Sequence, residues 1–183
     1  ALSQTGGYAL ARAAVVLTRL LDSDETPALR AHALLLLAYV RFRERSIPES
    51  IELLHAASAE AGDDPHVRAR AELELTFASV SVSFDFDAAG PHAEATRHYA
   101  EQAGDRALVA EALAVTVMLD FLLGRGLDRA KLERSLELEV PDHDAAIEVH
   151  PTLIAGLLSF YVDDYDASRR HLYSLTRRLR DRG

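Results

Sequence analysis

Ala61-Gly62-Asp63 and Ala103-Gly104-Asp105 stand about 42 residues apart, each between two Ala/Leu-rich amphipathic runs. A glycine at such a point can end one helix, because it enters the left-handed stop conformation without a Cβ clash. The acidic residue that follows can then start the next helix. Self-similarity at a period of roughly 20 to 50 residues marks units that cannot bury their apolar faces alone and stack on neighbours. The punctuation therefore predicts an all-α array of antiparallel helix hairpins, with each glycine closing an outer helix and each acidic residue opening an inner one.

Before the first of these marks, a helix is expected from about Gly7 to Leu21, with Leu10, Ala14, Leu17 and Leu21 on one face. After Pro27, the apolar residues of Leu29–Phe42 nearly encircle the helix, as suits an inner helix covered on several sides. Ser46-Ile47-Pro48-Glu49 has the form of a capping box, and Ile51, Leu54, Ala57 and Ala61 give a stripe ended by Gly62. Asp64-Pro65 opens the following helix, where proline's missing N–H costs nothing. Residues Leu73–Phe86 alternate almost like a strand, but the alternation slips phase at Ala78-Ser79. Leu73, Phe77, Val80 and Phe84 instead form one unbroken helical stripe, so a helix is predicted.

Gly90-Pro91 falls near the beginning of the next helix, which carries His98 and Tyr99. Leu108–Leu123 is apolar and ends at Gly124-Arg125-Gly126; Leu127–Leu138 is short, amphipathic and ends near Pro141. Pro141–Pro151 reads as a polar loop or a frayed helix start. Leu153–Val162, a turn and N-cap at Asp163-Asp164, and Tyr165–Arg182 complete eight to nine helices within one repeat domain over residues 1–183.

Composition narrows the function classes. A net charge of −9 opposes direct grip on nucleic-acid phosphates, which needs a basic face. The absence of cysteine excludes disulfides and thiolate metal sites. The longest apolar run, Ala33–Val40, is far shorter than the roughly 20 residues that span a bilayer, so a soluble cytoplasmic protein is expected. Lys131 is the only lysine among 20 basic residues, a usage that suits a GC-rich bacterial genome. With Met118 its only methionine and a helix-cap-like end at Arg182-Gly183, the chain reads as a piece of a longer protein.

Several clusters imitate chemical sites. Asp163-Asp164-Tyr165-Asp166 looks like an aspartate-rich magnesium motif, yet a second such motif is missing and an interhelical cap accounts for it. Asp85, Asp87 and Gly90 form half a calcium loop, with Thr96 where the terminal glutamate belongs. Asp142, His143, Asp144, Glu148 and His150 offer zinc-type ligands at a spacing that matches no structural motif. Gly124-Arg125-Gly126 lacks the strand and lysine of a phosphate cradle and reads as a helix stop. His32, His55, His92, His98 and His171 are scattered over helices and have no nucleophile partner. Arg169, Arg170, Arg177, Arg178, Arg180 and Arg182 suit a helix C-terminus, and Phe77, Phe84, Phe121, Phe160 and Tyr161 are expected in the core. No catalytic, cofactor or metal residue is assigned.

The run Leu123-Gly124-Arg125-Gly126-Leu127-Asp128-Arg129-Ala130-Lys131-Leu132-Glu133-Arg134-Ser135-Leu136-Glu137-Leu138 resembles the central region of LuxR-family regulators of the large ATP-binding, actinobacterial type. So does Gly156-Leu157-Leu158-Ser159-Phe160-Tyr161-Val162-Asp163-Asp164-Tyr165-Asp166-Ala167-Ser168-Arg169. The resemblance implies a tetratricopeptide-like α-solenoid, a right-handed superhelix of hairpins, between a nucleotide-binding domain and a LuxR-type helix-turn-helix. The chain has no G-x-x-x-x-G-K-[ST] element, so the family's ATP residues map to no position here, and neither a tryptophan nor the usual period of about 34 residues is present. The resemblance thus implies a non-enzymatic sensor segment of a transcriptional regulator, with a protein partner or small effector on its concave face. ATP and DNA would be bound by other domains, no membrane is involved, and a homo-oligomer is an option. A free-standing tetratricopeptide-like adaptor for protein–protein interaction is the alternative.

Overall fold

The computed structural model describes residues 2–140 and 146–181, with side chains from Tyr8 onward except those of Ser81 and Ser83. Among them are nine α-helices and no strand: α1 (Leu2–Leu21), α2 (Pro27–Arg43), α3 (Ile47–Glu60), α4 (Pro65–Ala78), α5 (Phe86–Ala103), α6 (Arg106–Leu122), α7 (Arg129–Leu138), α8 (Pro151–Tyr161) and α9 (Tyr165–Asp181). A π turn, Ser79–Ser83, extends α4, and a 3-10 turn, Ile147–Val149, precedes α8. No helix is long and apolar enough to cross a membrane among the described residues.

Neighbouring helices pair as α2 with α3, α4 with α5, α6 with α7 and α8 with α9, while α1 covers α2. The first members of the pairs stack on one another in order, α2 on α4, α4 on α6 and α6 on α8. These inner helices are covered on two sides, which is why their sequences are apolar nearly all round. Small residues let the backbones approach: Ala69, Ala100, Ala114 and Ala155 lie in the central core with Leu73, Leu108, Ile154 and Leu158. At Gly156 an added Cβ would stand 2.7 Å from the Leu172 side chain, so α8 and α9 also meet closely.

The glycines stop the helices as the sequence predicts, and Asp105 opens α6, but after Gly62 the cap of α4 is Asp64 of Asp64-Pro65 and not Asp63. Gly62 and Gly104 take φ of 57° and 63°, in the left-handed region. Asp64 then accepts from the N–H groups of His66 and Val67 at 2.9 and 3.2 Å, and Asp105 from those of Ala107 and Leu108 at 2.9 and 3.1 Å. Each aspartate satisfies two backbone donors that the first helical turn leaves open.

A second set of stops ends the inner helices. Arg45, Phe84, Gly124 and Asp163 all have positive φ and are spaced 39, 40 and 39 residues apart. After three of them the next N–H reaches back to the last turn, Ser46 to Arg41 O, Arg125 to Asp120 O and Asp164 to Ser159 O, each at 2.9 Å. This is the Schellman closure. At Phe84 the bond runs from Asp85 N to Ser79 O at 3.0 Å, one residue longer, because the π turn widens the coil there.

Two local readings are corrected. The stripe Leu73–Phe84 is not one unbroken helix: the Ser/Val run after Ala78 opens into the π turn, and Phe84 swings out to 70 % exposure. Serine and β-branched valine are weak helix formers, so this is where the α-spacing yields. Ser46 does not form a capping box either. Pro48 removes one of the N–H groups it would serve, the Ser46 hydroxyl donates to Glu49 Oε2 at 3.1 Å, and Glu49 is drawn to Arg41 at 2.8 Å.

Left-handed backbone costs a side-chain-bearing residue about 1 kcal/mol. Arg45→Gly is therefore expected to stabilise the chain by roughly 0.5 kcal/mol, after the entropy glycine adds to the unfolded state, whereas Gly104→Ala destabilises it by about 1 kcal/mol. Urea denaturation of both variants checks this, and a loss of stability in Arg45→Gly would contradict the stop at Arg45.

Candidate functional site

A cleft of about 520 Å³ opens between α2, α3 and α4. Leu35, Leu36, Tyr39 and Phe42 of α2, Ile47, Ile51 and Leu54 of α3, and Phe77 of α4 make it apolar, and Ala146 completes one wall. Phe42 and Phe77 meet edge to face with centroids 6.1 Å apart. Leu36 and Tyr39 remain exposed at the mouth. The same near-encircling apolar pattern that makes α2 an inner helix thus leaves part of its surface facing an open space.

Four polar residues enter this space: His32, Ser50, Arg70 and Glu74. Ser50 is spent on the fold, donating to Ala38 O at 2.8 Å, and His32 Nδ1 lies 2.9 Å from Ala28 O. Arg70 and Glu74, four residues apart, share one face of α4. Arg70 Nη1 donates to Glu111 Oε2 of α6 at 2.7 Å, a pair almost closed to solvent that ties two inner helices together. Burial pushes the Glu111 carboxyl upward against the pull of Arg70. Glu74 makes no hydrogen bond or ion pair with any described residue. Burial, helped by the charges of Glu111 and Glu148 and opposed by Arg70, raises its carboxyl to about 7. A carboxyl poised to exchange its proton near neutrality, in an apolar cleft, marks a candidate functional site.

The residues singled out in the sequence go elsewhere. Asp142, His143 and Asp144 lie outside the described residues. Glu148 reaches Arg43 of α2 at 3.9 Å, and His150 is buried, not part of an exposed connection, with Nδ1 2.5 Å from Glu139 Oε1. Thr152 Oγ1 also donates to Glu139, at 2.5 Å, and Arg178 Nη2 donates to Thr152 at 2.7 Å. Burial raises the Glu139 carboxyl, but these bonds and the charges of His150 and Arg178 outweigh it and bring it to about 2. Arg178 thus fastens α9 to the start of α8 in addition to complementing a helix end.

Asp85 and Asp164 are N-caps, accepting from Ala88 N at 3.0 Å and Ala167 N at 3.1 Å, while Asp163 accepts the Tyr165 hydroxyl at 2.6 Å. Asp166 pairs with Arg169. Among the described residues no group of three His, Asp or Glu side chains has metal-holding geometry. Phe77 and Phe121 pack on the core as expected, but Phe160 and Tyr161 are 55 % and 62 % exposed, because they stand on the uncovered side of α8. Ser58, Glu72 and His92 do meet: Ser58 Oγ donates to Glu72 at 3.0 Å and His92 Nδ1 lies 2.6 Å from its other oxygen. The carboxylate stands between hydroxyl and imidazole, so the histidine has no contact through which to activate the serine.

Comparison with protein-family models, with curated proteins and with solved structures yielded no match. The geometry defines an all-α helical-repeat array with an apolar cleft between α2, α3 and α4.

The two perturbed carboxyls give the chain opposite stability profiles. Glu74 holds its proton more tightly folded than unfolded, so its contribution is complete below about pH 4.5 and is lost as pH rises through about 7. Glu74→Gln should match the parent below pH 4.5 and exceed it by about 1–2 kcal/mol at pH 8, partial solvent access lowering the full linkage value. Glu139 behaves oppositely, its contribution being present above about pH 4.5 and lost as pH falls toward 2. Glu139→Gln should cost about 3 kcal/mol at pH 7, since it removes the carboxylate that pairs with Arg178 and accepts from Thr152, and less as pH falls through that window. Urea unfolding from pH 2 to 8 reads both.

Proposed function

We propose that this chain is a non-catalytic sensor segment of a bacterial LuxR-type transcriptional regulator. It takes up a small effector, or a side chain of a partner protein, in the cleft between α2, α3 and α4. It relays occupancy to ATP-binding and DNA-binding domains that lie beyond these residues, and it works in the cytoplasm. The observation that carries the binding role is the cleft itself: about 520 Å³, aromatic and aliphatic walls, and one carboxyl without a described partner. The stacked arrangement supports the relay, because a ligand that bridges two hairpins biases how they stack. The regulator assignment draws on the runs Leu123–Leu138 and Gly156–Arg169, and the net charge of −9 agrees with DNA contact through another domain.

Ligand-observed NMR with a library of small aromatic and aliphatic fragments tests the binding role. Hits at millimolar concentration are expected, and Leu36→Trp, which fills the mouth of the cleft from an exposed position, should abolish them. Equal binding to that variant, or no hits at all, would remove the cleft from consideration. A full reading frame that encodes neither a P-loop before this segment nor a helix-turn-helix after it would overturn the regulator assignment.

A further inference from the structure

Three features fix the charge that the cleft is built to receive. The first is the imbalance of its polar groups. Arg70 is already engaged by Glu111 at 2.7 Å, whereas Glu74 on the same face of α4 has no described partner. The second is the source of the surrounding charge. From α6 comes Glu111, with His150 acting on it; from the 3-10 turn comes Glu148; from α2 come His32, whose Nδ1 faces the Ala28 carbonyl, and Arg43, which stands 3.9 Å from Glu148; α3 lines the cleft with no charged group. Two neighbouring carboxylates thus bear on Glu74 together with Arg70, and both Arg70 and Arg43 already face acidic partners.

The third feature is the wall. Tyr39, Phe42 and Phe77 line the same space, and the negative face of an aromatic ring attracts a cation within about 6 Å of its centroid. An anionic ligand would meet repulsion from the carboxylates and would have to displace Glu111 from Arg70. A neutral one could offer Glu74 a hydrogen bond but would not balance its charge. A cation satisfies the carboxylate and the rings at once, while the aliphatic wall covers an apolar body.

We propose that the cleft selects a ligand with an apolar or aromatic body and a single protonated amine or guanidinium head, and that Glu74 is the counter-ion of that head. This rests on the cleft being a binding site, and it names the ligand class. Binding then displaces the Glu74 proton, because the carboxyl must ionise to pair with the head. Uptake of the ligand at neutral pH therefore releases a proton to solvent.

Three isosteric probes separate this from the broader binding role: 2-phenylethylamine, 2-phenylethanol and 3-phenylpropionate, titrated by NMR into the whole chain at pH 6, 7 and 8. The amine is expected to bind about tenfold tighter at pH 8 than at pH 6, as Glu74 ionises around pH 7, and tighter than the alcohol at pH 8, with the carboxylate weakest. Glu74→Gln should weaken the amine at pH 8 about tenfold and abolish its pH dependence while leaving the alcohol unchanged. Alcohol and amine binding equally at pH 8, or an amine insensitive to both pH and Glu74→Gln, overturns the cationic selectivity while keeping the cleft as a site. Failure of all three probes to bind overturns both. The pH series on the parent chain decides the matter even if the variant folds poorly.

Discussion

Everything in this molecule depends on the close stacking of its inner helices. A lone hairpin of this composition would leave one apolar face in water; α4 avoids this by burying Ala69 and Leu73 against its neighbours, and α6 by burying Leu108, Ala114 and Val115. Alanine matters here less for the area it buries than for the distance it permits, since short side chains let dispersion contacts form between backbones. The Arg70–Glu111 pair sits at such a stacking joint, where little of either side chain is exposed to solvent. Taking both partners from neighbouring inner helices fixes the register of one hairpin on the next.

The cleft is the exception to that closeness. Between α2, α3 and α4, aromatic and branched side chains line a gap without filling it. The arrangement costs the fold packing contacts and leaves Glu74 half-buried in apolar surroundings, a cost that a purely structural array would have little reason to retain. By contrast, the Glu139–His150–Thr152–Arg178 group is closely packed and interlinked, and it joins the α7 end, α8 and α9 into one unit. One polar group has partners on several sides and the other is held open.

The helix stops written in glycine were legible in the sequence, as were the aspartate caps, because a glycine and a short acceptor have few other uses between two apolar runs. The turn at Asp163-Asp164 was legible too, whereas the stops at Arg45 and Phe84 were not. Arginine and phenylalanine carry a Cβ and give no local sign of a left-handed backbone, whereas a short polar side chain such as that of Asp163 tolerates it. The π turn was half visible, as a phase slip at Ala78-Ser79 that decided only between helix and strand. Exposure of Phe160 and Tyr161 could not be read from apolarity, because a helix face that suits burial also suits an open surface. Glu74 was silent for another reason. An Arg and a Glu four residues apart ordinarily read as a solvated surface pair, and only the packing of α6 against α4 withdraws Arg70 to a different carboxylate.

The 3-10 turn before α8 gives the array a property that stacked hairpins do not have by themselves. In a purely linear stack each unit melts with its immediate neighbours, and the two ends can fray independently. Here Ala146 and Glu148, which belong to the approach to the last hairpin, touch the cleft and Arg43 of the first. The contact bridges about a hundred residues of chain, so the spring is braced across its own coils. Loosening of α8 would carry Ala146 away from the cleft wall, so the approach to the last hairpin and the cleft are coupled through one short turn.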